Sequence, residues 1–182
     1  MTPYSLAFYL HVVTSGSVLG ARPADTPQRV AELLGTDFAE NSFDDQSMWR
    51  DYGLVEFFWD RQSAGQPWSG HHFTVQVHRL AHGASSVPGA LLRSRYGRFD
   101  RRLRFAKLRR LSERRGTELV EVPHVQAPCY RTFWQPESLT SVTVIGAHEE
   151  YVTPGNLRVG DVYSIGAPTR PEKVECGATR VR

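Results

Sequence analysis

The alternation of apolar and polar positions predicts a pair of strands in the first half of the chain. Phe73, Val75 and Val77 alternate with polar side chains over residues 71–81, as on a strand that buries one face. Residues 52–60 carry a second apolar run, and the Gly- and Pro-containing stretch between the two runs predicts a loop. We therefore expect the two runs to pair as antiparallel strands.

Other apolar segments predict further strands, and one polar segment predicts a loop. Residues 4–13, which are rich in Tyr, Phe, Leu and Val, are expected to form a strand or an ordered N-terminal tail. Residues 36–51 are acidic, polar and interrupted, so they predict a loop. Further strands are expected over residues 117–123, 129–134, 139–146 and 160–168.

A short helix is expected over residues 24–35. Thr26 suits the N-cap, Pro27 the first helical position and Gly35 the left-handed end.

A longer helical region is expected over residues 88–115, with Gly97 as a weak point and Gly116 at its end. Its apolar residues form two stripes, one of Phe99, Leu103 and Ala106 and one of Phe105, Leu108 and Leu111.

Together these elements predict one α+β domain over residues 1–168, followed by a polar C-terminal tail over residues 169–182. We expect a mostly antiparallel sheet, with a short N-terminal helix and the longer arginine-rich helix packed on one side. A chain of 182 residues with 40% hydrophobic and 23% charged residues is typical of one globular domain.

Three features predict a cytoplasmic protein that does not associate with a membrane. The sequence has no apolar run of about 18 residues, the length that a membrane-spanning helix needs. The apolar stretch near the N-terminus has no basic residue before it, so it makes a poor signal peptide. Cys129 and Cys176 lack the CxxC spacing of a metal site, and two reduced thiols are the expectation.

Charge is distributed unevenly along the chain. Residues 93–115 hold 11 of the 22 basic residues and two acids, whereas residues 24–60 hold nine acids and two basic residues. Two segments of opposite charge can each bind an outside partner, or they can face one another.

The arginines of residues 93–115 occur all round a helical wheel, so the segment is interpreted mainly as a solvated structural helix. Pairs of Asp100 with Arg104 and of Arg109 with Glu113, each four residues apart, are expected to support it. The alternative is a nucleic-acid-associated protein. Its contacts would be Arg101, Arg102, Arg109 and Arg110.

The acidic loop is the candidate surface for a protein partner, because massed acids repel one another unless a basic surface faces them. Aromatic residues beside charges are also common anchors of interfaces. The alternative is that the acids face the arginine helix and that the aromatic residues belong to the core. The candidate partner-binding residues are Phe43, Asp44, Asp45, Trp49, Asp51 and Tyr52.

Catalytic and metal-binding patterns are weak, so the sequence predicts no catalytic residues, no metal and no cofactor. His72 and His78 share a strand face but lie about 20 Å apart along it, too far to share a metal. His124 precedes Cys129 by five residues without a third group to orient a dyad. An enzyme that uses His78 or His124 is the weaker alternative.

One stretch carries a family resemblance. "VLGARPADTPQRVAELLGTDFAEN" followed by "RDYGLVEFFWDR", and the later "GDVYSI", combine a Gly-x-x-Pro turn, a short helix ending in Leu-Gly, an acidic loop and a hairpin opened by Tyr-Gly. This pattern, mainly over residues 18–82, resembles immunity proteins of bacterial polymorphic toxin systems. The resemblance implies a non-enzymatic inhibitor that occludes a toxin partner, here a basic toxin domain.

Overall fold

The computed structural model describes residues 4–42, 44–83, 86–148 and 156–169. One antiparallel sheet of eight strands organises them, in the order β1-β2-β3-β4-β8-β7-β6-β5, and the predicted α+β class is confirmed. The strands are β1 Ala39–Ser42, β2 Ser47–Asp51, β3 Val55–Asp60, β4 Ser69–Val75, β5 Val120–Val122, β6 Tyr130–Gln135, β7 Thr140–Ile145 and β8 Val162–Ala167. The helices are α1 Tyr4–Ser15, α2 Pro27–Leu34, α3 Arg79–His82, α4 Gly89–Tyr96 and α5 Phe105–Glu113.

The sheet consists of two meanders of four strands each, β1–β4 and β5–β8. A helix precedes each meander along the chain, α2 before β1 and α5 before β5. The meanders join where β4 pairs with β8, with Val75 opposite Ile165. The predicted pairing of the two strands in the first half is confirmed, with Phe57 opposite Phe73 in β3 and β4.

One face of the sheet carries the main core. Phe73 and Val75 are fully buried and Val77 nearly so, as the alternation predicts. The strand itself ends at Val75 and residues 79–82 form α3, so the end of the strand predicted over residues 71–81 is wrong. The opposite face has a smaller buried cluster of Ala81, Tyr130, Ile145 and Leu157 near one end.

The prediction of a strand or tail over residues 4–13 is wrong, because these residues belong to helix α1. The helix lies inside the core, where Phe8 and Leu10 are fully buried, and it contacts α5, β7 and α4. A helix that is apolar on nearly all sides gives no 3.6-residue periodicity. Its aromatic and branched residues therefore indicated a strand, and burial overrode that propensity.

The prediction of a loop over residues 36–51 is also wrong, since it contains β1 and β2. Strand β1 is an edge strand whose four side chains are all exposed, so no apolar alternation marks it. Its pairing with β2 is supported by Glu40, whose carboxylate accepts a hydrogen bond from Arg50 at 2.8 Å.

Helix α2 forms as predicted. The Thr26 hydroxyl accepts a hydrogen bond from the Arg29 backbone N–H at 3.2 Å, and Pro27 is the first helical residue. Gly35 follows the helix with a φ of 91°, in the region that favours glycine.

The arginine-rich region is two helices rather than one, and this corrects the prediction for residues 88–115. Helix α4 ends at Gly97, whose φ is 70°, and residues 98–104 are extended up to the start of α5. In the two predicted stripes Phe99, Leu103, Phe105 and Leu108 are buried, whereas Ala106 is exposed.

Of the two predicted ion pairs, only the one within α5 is confirmed. Arg109 Nε lies 2.8 Å from Glu113 Oε1. Because residues 98–104 are extended, Asp100 is not one helical turn from Arg104, whose Nη1 instead lies 3.2 Å from Asp161 Oδ1. The predicted tail lies outside the described residues apart from Thr169, as do Phe43 and Cys176.

Candidate protein-binding surface

Three aromatic side chains form a row across β2, β3 and β4 on the sheet face that does not carry the main core. Trp49 lies opposite Phe58, and Phe58 lies opposite His72. The Trp49 and Phe58 ring centroids are 6.4 Å apart with planes at 20°, and those of Phe58 and His72 are 4.1 Å apart at 10°. We call these three residues the aromatic row. All three are half-buried, so the row presents flat rings on a rigid sheet.

The acidic turn between β1 and β2 lies at the sheet edge beside this row. The Asp44 carboxylate accepts hydrogen bonds from the backbone N–H groups of Gln46 and Ser47, both at 2.8 Å, so it fixes the turn. The Asp45 carbonyl oxygen accepts a hydrogen bond from Arg61 Nε at 2.5 Å, and the residue is exposed. The Asp45 carboxylate therefore offers a negative charge at the surface, and it makes none of the hydrogen bonds that fix the turn.

Two further exposed carboxylates lie on the first three strands. Asp60 at the end of β3 is paired with Ser47 of β2 and lies 3.3 Å from His71 Nε2, with its side chain 60% exposed. Glu40 on β1 pairs with Arg50 at 2.8 Å, and its side chain is 51% exposed. Because Arg50 lies over the Phe38 and Trp59 rings, Glu40 belongs to the core face of the sheet and not to the face of the aromatic row.

Asp51, a predicted partner-binding residue, has its contacts inside the fold. Its carboxylate lies 2.9 Å from Arg79 Nη1 and accepts a hydrogen bond from the Gly53 N–H at 2.7 Å. Arg79 also binds Glu56 at 2.6 Å, and Glu56 accepts a hydrogen bond from Gln76. Burial is the largest single effect on the pKa of Arg79 and lowers it, but the combined interactions with Glu56 and Asp51 outweigh burial and raise the pKa above its usual value.

Tyr52, another predicted partner-binding residue, is buried. Its ring lies 5.3 Å from the Phe38 ring and 6.4 Å from the Phe57 ring, between centroids. Burial raises the pKa of its hydroxyl. The structure thus brings Asp44, Asp45 and Trp49 to the surface and places Tyr52 in the core.

The acidic segment binds cations other than those of the arginine-rich region. Its ion pairs run to Arg29, Arg50, Arg79 and His71, none of which belongs to residues 93–115. The arginine-rich region instead pairs internally and with the buried Asp161. None of these ion pairs joins the acidic segment to the arginine-rich region.

The four candidate nucleic-acid contacts lie on two different elements. Arg101 and Arg102 belong to the extended segment before α5 and line a cleft. Arg109 and Arg110 are exposed on α5. The four arginines therefore do not form one basic face on a single helix, although the sequence predicted one helix for all four.

The histidine candidates make contacts within the fold, and Cys129 packs against the smaller buried cluster. His78 stacks on Tyr163 with ring centroids 4.3 Å apart and planes at 6°, and burial lowers its pKa. His124 Nδ1 accepts the Gln126 backbone N–H at 3.0 Å, and burial lowers its pKa as well. Within the described ranges no three His, Cys, Asp or Glu side chains form a group that could hold a metal ion.

Phe58 and His72 are the surface residues that sequence reasoning missed. The signal was available, because both occupy outward positions of the two strands whose pairing was predicted. What the sequence did not show is the position of β2, which adds Trp49 to the row.

Comparison with known proteins finds no matching family model, no similar curated protein and no similar solved structure. In the part of the chain that the structure describes, the helices are too short or too polar to cross a membrane.

Proposed function

We propose that this protein is a non-enzymatic binding module, an immunity-type inhibitor that acts in the cytoplasm by occluding a basic protein partner. The observation that carries the proposal is the aromatic row of Trp49, Phe58 and His72 beside the acidic β1–β2 turn.

The row has the physical properties of an interface anchor. Aromatic side chains bury a large area at a low entropic cost, and hot spots of interfaces are enriched in them. Here the rings are already stacked on one another, so docking a partner would cost little further ordering. Neighbouring strands hold them in fixed register.

The charges around the row specify the kind of partner. Asp45 in the β1–β2 turn and Asp60 at the end of β3 place exposed carboxylates beside the row, which favours a cationic surface opposite. Such complementarity mainly accelerates association and excludes partners of like charge. A basic toxin domain fits this description.

One further observation agrees with the proposal. The resemblance to immunity proteins lies mainly over residues 18–82, which include all three residues of the aromatic row.

The test uses the proteins encoded by the two genes that flank this one, taking the C-terminal domain where the product is large and secreted. Binding to the wild-type chain is measured by calorimetry, and inhibition of the partner's toxicity by co-expression. Trp49→Ser and Phe58→Ser should each weaken the complex at least about tenfold. Val120→Ser is the matched control, because Val120 is a 44% exposed apolar residue on β5 at the opposite edge of the sheet. Failure of both products to bind, or equal weakening by the control, would contradict the proposal.

A further inference from the structure

Two adjoining cavities share Arg101 in their lining. The smaller has a volume of about 280 Å³ and is lined by Arg101, Arg102 and Arg158 together with Asn156 and Ala81. The larger has a volume of about 620 Å³. Its lining includes Arg93, Arg98 and Arg101 and the apolar Leu80, Pro88 and Phe99. We call the two together the arginine cleft.

The backbone that holds these arginines is fixed at both ends. Phe99 anchors the start of the extended segment, with its ring 5.6 Å from that of Phe8 in the core. At the other end the Val162 N–H donates to the Leu103 carbonyl at 2.8 Å, and the Phe105 N–H donates to the Gly160 carbonyl at 3.0 Å. Arg101 and Arg102, which lie between these anchors, therefore start from defined positions.

The cleft has an excess of positive charge. Among the described residues that line it, none is acidic. Among the described residues, the fully buried Asp161 has carboxylate oxygens 3.2 Å from Arg104 and 3.8 Å from Arg102. Asp100 lines a different depression, beside Leu6 and Tyr9.

Several guanidinium groups of the cleft have no counter-charge within the described part of the chain. This holds for Arg98, Arg101 and Arg158, which are exposed at the surface. Gathering like charges raises the free energy of the empty protein, and a bound anion would remove that cost.

We propose that the arginine cleft binds a small anion that carries two or more phosphate groups. The guanidinium fork matches the oxygens of a phosphate and binds them in bidentate fashion. The cavities have the volume of a small-molecule site and are concave, which favours a compact ligand over a nucleic-acid duplex. The polar smaller cavity suits the phosphates, and the apolar wall of Leu80, Pro88 and Phe99 suits an attached organic group.

The site is tested by calorimetry at physiological ionic strength, with inorganic triphosphate and with ATP as probes. A labelled DNA duplex is titrated in parallel by fluorescence anisotropy. The test variant combines Arg101→Gln with Arg158→Gln. The control combines Arg110→Gln with Arg114→Gln and removes the same charge from exposed positions at the end of α5. Neither variant touches Arg102 or Arg104, so the contacts of Asp161 remain.

Wild-type protein should bind triphosphate, with the Kd raised at least about tenfold in the cleft variant and less than about twofold in the control. ATP that binds more tightly than triphosphate would show that the apolar wall holds the organic group, and equal affinity would show recognition of the phosphates alone. Both results support the site. Absence of binding at millimolar concentration, equal weakening by both variants, or binding of the duplex without either small anion would overturn it.

Discussion

Arg79 Nη2 lies 2.6 Å from Glu56 Oε1, and the Glu56 side chain is only 9% exposed. Arg79→Met would leave this carboxylate nearly buried without its cation. Because Arg79 is itself about one-third exposed, we expect a loss of about 2–3 kcal/mol in the free energy of unfolding, measured by urea denaturation.

Neutralising the carboxylate provides the control for that prediction. Glu56→Gln in the Arg79→Met background should recover part of the loss, because it removes the uncompensated charge. A single Arg79→Met variant that unfolds within about 0.5 kcal/mol of the wild type would show that the pair does not stabilise the fold.

The two faces of β4 should respond differently to the same substitution. Val75 is fully buried between Val55 and Ile165, so Val75→Asn buries a polar amide and removes apolar contacts. We expect it to cost about 3 kcal/mol or more. Thr74→Asn, one residue away on the outward face, should cost less than about 1 kcal/mol. Thermal melts of equal midpoint for the two variants would contradict the assigned faces.

The cap of α2 allows a third test. Thr26→Ala removes the hydroxyl that accepts the Arg29 N–H and should lower the free energy of unfolding by about 1 kcal/mol. Thr26→Ser keeps an acceptor and should stay close to the wild type in the same denaturant titration. Equal losses in both variants would show that the hydroxyl is not the cap.

Stability should fall as the pH is lowered from 7 to 5, in part through His78. Burial holds the pKa of His78 in the folded state below its usual value near 6.5, with Arg79 and His82 acting in the same direction and the Tyr163 backbone hydrogen bond and Glu56 opposing them. The unfolded chain therefore takes up the proton first, which favours unfolding below pH 6.5. His78→Phe keeps a ring to stack on Tyr163 and should make this fall shallower. A variant with an unchanged slope would show that His78 does not contribute to it.

Local signals in the sequence were enough for elements that have a regular pattern or a cap. The alternation over residues 71–81 predicted β4, the apolar run over residues 52–60 predicted β3, and Thr26, Pro27 and Gly35 predicted α2. The predictions were wrong for elements that are buried on nearly all sides or exposed on all sides, because such elements show no alternation of apolar and polar residues. Helix α1 is apolar on nearly all sides, and β1 is exposed along its whole length.

The candidate surfaces depend on contacts between distant residues, which a single sequence does not reveal. Asp51 was predicted to face a partner, and its fold contact with Arg79 spans 28 positions of the chain. Phe58 and His72 were assigned to strands, but the row needs β2 beside them. The arginine cleft likewise brings Arg101 beside Arg158, which is 57 positions away along the chain.

The most direct test of the proposed function is the salt dependence of the association rate between this protein and the partner identified among its flanking gene products. Asp45→Lys reverses an exposed charge at the acidic turn and leaves the turn hydrogen bonds of Asp44 in place. Glu137→Lys, in the turn between β6 and β7, reverses an exposed charge elsewhere as the control. We predict that Asp45→Lys slows association several-fold and flattens its salt dependence, with urea stability unchanged, while Glu137→Lys does neither. Identical association rates for the wild type and both variants would contradict an interface at the acidic turn.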